Sequence, residues 1–198
     1  MFTLHLFSIF TLLITALLHP TRAINTSHHT RHARRHAGHA SMDATAVRRS
    51  PAHIAAYLEG HNVVRAAHGV KPLQWSPYFA NLAEQWADAC NFKHTDGVLS
   101  DKPYGENIVA ATGPFSVHAA MGTFIEDAAD FNPHHPHFTH YTQVLWESTT
   151  ELGCASSVCK DLLGPSTGPA TLYVCLYDPP GNVVGGMRQN LPSVFHHS

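Results

Sequence analysis

All four cysteines of this 198-residue chain, at positions 90, 154, 159 and 175, lie downstream of an apolar leader and inside one continuous body. An even cysteine count in an exported chain implies two disulfides, which confine the chain to a small, tightly wound fold. Spacing alone leaves three connectivities open. Zinc held by the four cysteines would need short paired spacings at both ends, and only Cys154 and Cys159 are close. The leader is the uncharged 13-residue run 6–18. A spanning helix needs about 20 residues, so this length fits a signal peptide, residues 1–23, cut after Ala23 with Thr21 at the −3 position. No later stretch is apolar enough to span a bilayer. The expectation is a secreted, extracellular protein without stable membrane insertion.

Residues 24–49 change character, with five Arg and five His against one acid, Asp43. Almost nothing large and apolar is available there to offset chain entropy, so a disordered pro-segment or spacer is expected. Arg34-Arg35 and Arg48-Arg49 are dibasic pairs of the kind that secretory proprotein convertases cut, which makes Arg35 and Arg49 candidate processing points. The sequon Asn25-Thr26-Ser27 also falls in this segment. Six of the 12 basic residues and only one of the 14 acidic ones precede Ser50. The acidic body that remains is a poor nucleic-acid binder.

The body, residues 50–190 with a tail at 191–198, reads as helices followed by strands. Ser50-Pro51 starts a helix expected to stop at Gly69, with Ile54, Leu58, His61 and Arg65 on one stripe. Ser76-Pro77 starts a second, burying Phe79, Leu82, Ala83, Trp86 and Cys90. A third is expected from 116 to 130, with Val117, Met121, Phe124, Ala128 and Phe131 inside. Residues 91–114 read as a long loop, and 141–146, 153–158 and 171–177 as strands. Trp75, Trp86 and Trp146 read as core. This order gives an α+β or layered fold.

Four motifs then appear in sequence: His61-Asn62-Val63-Val64-Arg65, Gly105-Glu106-Asn107-Ile108, the run from His140 through Gln143 to Trp146, and the run from Cys175 through Tyr177 and Asp178 to Asn182. Together they resemble the CAP superfamily, which groups cysteine-rich secretory proteins, antigen 5 proteins and class 1 pathogenesis-related proteins, and in style its fungal branch. The resemblance implies a three-layer α-β-α sandwich with disulfides Cys90–Cys159 and Cys154–Cys175. Thr139, Leu176 and Phe124 depart from the usual pattern.

The family builds a cleft from two histidines and two acids. Carried over, these are His94, Glu106, His140 and an acid on the third helix, where Glu126 and Asp127 compete. At about 100° per residue Asp127 flanks the buried stripe and Glu126 points to solvent, which selects Asp127. Two imidazoles with nearby carboxylates suit a weakly bound divalent metal such as zinc. A hydrogen-bonded structural cluster and a catalytic centre are the alternative readings. His61 and Arg65 read as structural, as do Asn62, Asn107, Gln143, Trp146, Tyr177 and Asn182. His134, His135 and His137 form a Pro-punctuated loop beside His140.

The resemblance implies extracellular binding of a sterol or fatty acid, in lipid export or interaction with a host or cell-surface protein, rather than an enzyme. The stretch 95–117, with Tyr104, Pro114 and Phe115, is the expected lip of an apolar groove. The rival readings are a metal-dependent hydrolase or peptidase using the His/acid cleft, and a precursor cut after Asp178 to release a signalling peptide. Against the latter, Arg188 and Gln189 stand where the peptide's terminal Pro-Tyr would be.

Overall fold

Ser50 accepts a hydrogen bond from the His53 backbone N–H (3.3 Å) and Pro51 takes the first helical position, which starts α1, Pro51–Ala67. Gly69, at φ +73°, ends it as expected. The Gly69 and Val70 N–H groups donate back to the Ala66 and Arg65 carbonyls (3.1 and 2.9 Å), closing a left-handed cap. The structure is a computed structural model that describes residues 50–132, 135 and 137–192. The expected signal peptide with Ala23, the segment 24–49 with Arg35 and Arg49, His134 and positions 193–198 of the tail lie outside the described residues.

After β1 (Gln74–Trp75) come α2 (Pro77–Asp88), β2 (Gly105–Thr112), α3 (Val117–Glu126) and a 3₁₀ turn (Asp127–Asp130). Then follow α4 (His140–Val144), β3 (Glu151–Cys159), β4 (Ala170–Asp178) and a short α5 (Met187–Asn190). The sheet order is β1-β3-β4-β2, with β1 parallel to β3 and the other pairs antiparallel. β4 is central and buried on both faces. Leu172, Val174 and Leu176 pack with Phe79, Ala83 and Ala87 of α2. Tyr173, Cys175 and Tyr177 pack with Tyr57 of α1 and Val117, Met121 and Phe124 of α3. The period-2 alternation of β4 thus divides its side chains between two helical layers, giving the expected α-β-α sandwich. Both disulfides pair as the resemblance implies. Cys154 and Cys175 are direct cross-strand partners, while Cys90–Cys159 ties the end of α2 to the end of β3. Separations of 21 and 69 residues correspond to about 3 and 4 kcal/mol in the chain-entropy picture. Gly153 lets α2 lie directly on β3, since a Cβ there would overlap the Ala80 backbone nitrogen.

Three expected elements differ. Of residues 141–146, where a strand is expected, Tyr141–Val144 belong to α4 and Leu145 caps it. Thr139 accepts from the Thr142 N–H (3.2 Å) and Thr142 Oγ1 accepts from the Thr139 N–H (2.9 Å), a reciprocal cap that starts a helix. Every residue from Tyr141 to Trp146 is buried, so the apolar pattern carried no strand alternation. Inside the expected loop 91–114 the chain forms β2, because the free edge of β4 pairs it from Gly105–Tyr177 to Thr112–Ala170. Its own sequence is too poor in large apolar residues to announce a strand. The third helix stops at Glu126, and the tighter 3₁₀ turn moves Ala128 off the buried stripe to the surface. Of the three tryptophans only Trp146 is fully buried; Trp75 and Trp86 are half-buried.

Arg65 is completely buried without a carboxylate partner among its hydrogen bonds. Its Nε donates to the Lys71 carbonyl (2.7 Å), Nη1 to those of Val144 and Trp146 (2.8 and 3.0 Å), and Nη2 to that of Thr149 (2.9 Å). Burial pushes the guanidinium down to about 10, still charged at neutral pH. Replacing Arg65 with Met preserves bulk but takes the guanidinium donors from four inward carbonyls, of which only that of Trp146 keeps a second donor, the Thr149 N–H. The expected loss is about 3–5 kcal/mol, read from the urea midpoint. Arg65→Lys should recover only a small part of it, since one ammonium cannot span the same acceptors.

Candidate functional site

A cavity of about 400 Å³ opens at one end of the sheet, lined by His94, Glu106, Asn107, Asp127, His137, Phe138, Thr139, His140 and Asn182. The four proposed cleft residues therefore share one space, although four separate segments supply them. Glu106 comes from β2, with its side chain nearly buried (8% exposed), and accepts from His94 Nδ1 (2.5 Å) and from the Thr95 backbone N–H (3.1 Å). Asp127 opens the 3₁₀ turn, and its Oδ2 accepts from both the backbone N–H and Nδ1 of His140 (3.1 Å each). Glu126 is exposed and does not line the cavity. The His140 ring lies over Phe124, with centroids 5.5 Å apart, so one of the family departures forms a wall behind the site.

Each imidazole thus gives its Nδ1–H to a carboxylate, which fixes the tautomer and leaves Nε2 as the basic nitrogen. Such a pair of His–carboxylate units can relay a proton, orient a polar ligand or donate two nitrogens to a cation. Among the described residues no three His, Cys, Asp or Glu side chains converge in a metal-binding group. Among the described residues no Cys or Ser lines the cavity.

Behind the cavity runs a buried hydrogen-bond chain. His61 donates from Nδ1 to the Tyr57 carbonyl (2.8 Å), and its Nε2 accepts from the Tyr177 hydroxyl (2.7 Å). The Tyr177 oxygen accepts from Asn107 Nδ2 (3.1 Å), which also donates to the His140 carbonyl (3.1 Å). Burial drives His61 down to about 4 and raises Tyr177 well above the normal phenol range. Asn182 donates to the Thr139 carbonyl (2.9 Å) and accepts from the Thr142 hydroxyl (2.7 Å), while Gln143 accepts from the Gly181 N–H (2.9 Å). Asn62 brackets Leu73 through both its N–H and its carbonyl. Asn107, Gln143, Tyr177 and Asn182 thus hold the site's frame. The sequence had not signalled Phe138 or the cavity-facing position of Asn182, because both lie in irregular chain without periodicity.

The expected lip at 95–117 does not form. Tyr104 packs against Phe79 and bonds the Thr95 hydroxyl (2.6 Å), Phe115 packs edge-on to Tyr173 in the core, and Pro114 is exposed. A different apolar cavity, of about 210 Å³, lies between α1 and α2, lined by Ile54, Trp75, Pro77, Ala80, Asn81, Glu84, Cys154 and Ala155. Among the described residues no helix is long and apolar enough to cross a membrane.

Comparison with known proteins agrees with this architecture. The family model for CAP, the cysteine-rich secretory protein family, matches residues 58–177. The chain belongs to that family. It is 38% identical over 138 residues to a probable pathogenesis-related protein of Candida albicans, covering 68% of this chain and 39% of the relative. It is 36% identical over 140 residues to pathogenesis-related protein PR-1 of Medicago truncatula, covering 65% and 75%. The chain therefore spans well under half of the Candida relative's length. Among solved structures, venom allergen-like protein 4 of Schistosoma mansoni superposes with a TM-score of 0.56 at 23% identity, covering 72% of this chain and 94% of that one. That likeness supports the fold.

A neutral His61 is required, because protonated Nε2 would face the Tyr177 hydroxyl proton with another donor. Its pKa is lower in the folded state than the ordinary 6.5, so the unfolded chain binds the extra proton first. Stability from this group is complete above about pH 6.5 and falls toward pH 4, by about 3 kcal/mol in all. Urea midpoints measured across that window should show this decline, and His61→Gln should flatten it while lowering stability at pH 7.

Proposed function

We propose that this chain is a secreted, extracellular binding protein that carries a fatty acid or sterol in the cavity between α1 and α2. The observation that supports this reading is the cavity's lining, apolar except for Asn81 and Glu84. Small-molecule sites are concave, mostly apolar and anchored by a few polar groups. At about 210 Å³ it is smaller than the ~300–1,000 Å³ usual for such sites, which favours a single acyl chain over a four-ring sterol. The apolar leader and the two disulfides fit export, and a carrier of this kind would serve lipid export or exchange with a host or cell-surface partner. Purified protein should bind a radiolabelled long-chain fatty acid saturably, and a sterol more weakly. Ala80→Phe, which fills the cavity, should abolish binding, whereas a His94→Ala, His140→Ala double variant should retain it. Unsaturable uptake of both lipids, or binding untouched by Ala80→Phe, would sink the assignment.

The two carboxylate-held imidazoles favour a second reading for the other cavity, weak binding of a divalent cation. His94 and His140 would supply nitrogens, Glu106 and Asp127 would hold the rings, and solvent would complete the shell, consistent with the absence of a three-ligand group among the described residues. Bound there, the cation would supply positive charge to an anionic or carbonyl-bearing ligand. Zinc titration should shift the His94 and His140 ring resonances in step with a single weak site, and the double variant should lose the response.

Release of a peptide by a cut after Asp178 gains no support from this geometry. Asp178 is buried at the end of β4, its carboxylate pairs with Lys102 (2.5 Å) and its carbonyl accepts from the Thr150 N–H (2.9 Å). A protease would have to open the sheet first.

A further inference from the structure

The chain leading into α4 carries a histidine that neither the buried frame nor the two His–carboxylate pairs use. His137 is exposed, lies three residues before His140, and lines the same cavity as His94 and His140. The chain just beyond it is fixed. The Thr139 carbonyl accepts from Asn182 Nδ2 (2.9 Å), and the reciprocal cap with Thr142 holds the same residue. His137 thus sits two residues from an anchored point, and exposure leaves its ring free to change rotamer. His94 and His140 give Nδ1–H to Glu106 and Asp127, which leaves each Nε2 able to bind a cation. Two nitrogens are a sparse donor set. A third makes the three-imidazole set with one open position that suits zinc and similar cations, whereas calcium and magnesium take oxygen donors.

We propose that His137 is the third nitrogen ligand of the polar cavity, completing a site for an imidazole-preferring divalent cation such as zinc and setting its selectivity against calcium and magnesium. This rests on the reading that the cavity binds a divalent cation at all, and it names the residue that completes the site and the class of cation it takes. As the side chains stand, no three of them converge in a metal-binding group among the described residues, so the His137 ring has to turn inward for the third bond to form. Ordering one exposed ring costs rotamer freedom alone, since no packed contact of the core has to open.

The test titrates zinc and, separately, calcium into the full chain near neutral pH, followed by isothermal titration and by the histidine-ring resonances. The chain has 18 histidines, and the His94→Ala, His140→Ala double variant reports what the others bind by themselves. In the wild type the His137 resonance is expected to move with those of His94 and His140 in one saturable phase that the double variant lacks. His137→Ala should weaken that phase about tenfold or more, leave the urea midpoint unchanged as suits an exposed residue, and calcium should produce no such phase. A His137→Ala affinity within about twofold of the wild type overturns the proposal. So does a His137 resonance that stays still or responds equally in the double variant, and so does calcium that binds as tightly as zinc. If the His94 and His140 resonances ignore zinc, the cation reading of the cavity fails and this proposal falls with it, whereas their response with an unchanged His137→Ala affinity removes only the role of His137.

Discussion

The buried guanidinium of Arg65 is the interaction on which the rest of the structure depends. Four backbone carbonyls from the α1–β1 connection, the end of α4 and the turn into β3 converge on one side chain. Those carbonyls belong to turns and helix ends that have few other ways to satisfy them away from water. A charged donor with several N–H groups in a fixed fork is the economical solution, and its desolvation is offset by charge-assisted bonds. Because three of the acceptors, at Val144, Trp146 and Thr149, lie at or just beyond the end of α4, the same contact ties the exit of that helix to α1.

His61, one turn before Arg65 on α1, extends the frame toward the cavity. Its link through Tyr177 and Asn107 to the His140 carbonyl joins α1, β4, β2 and α4 in one buried chain. The two His–carboxylate pairs sit on the outside of that chain, half in solvent. The network is buried, whereas the His94 and His140 side chains reach solvent. Phe124 behind His140 belongs to the same arrangement, since a ring there is packed from both sides.

Two of the molecule's cavities are of opposite character. The larger is polar and edged by histidines and carboxylates at the open end of the sheet. The smaller is mostly apolar, between α1 and α2, with Asn81 and Glu84 on its wall. They lie against different secondary elements and share no lining residue, so ligand occupancy of one need not alter the other.

Much of this was legible in the residues. Ser50-Pro51, Ser76-Pro77 and Gly69 punctuate the helices through local backbone chemistry, and the apolar run 171–177 marks the central strand. The resemblance carried by the four motifs supplied both disulfide pairings and the members of the polar cleft, and helical phase chose Asp127 over Glu126. What tertiary structure alone decided were the elements whose local signals were weak or contradictory. β2 is a strand because β4 offers it an edge, and α4 is a helix because Thr139 and Thr142 cap each other while a fully buried run hides its period. The apolar cavity is likewise a product of packing. Residues from α1, β1, α2 and β3 meet around it, and no periodicity along the chain records a gap left between layers.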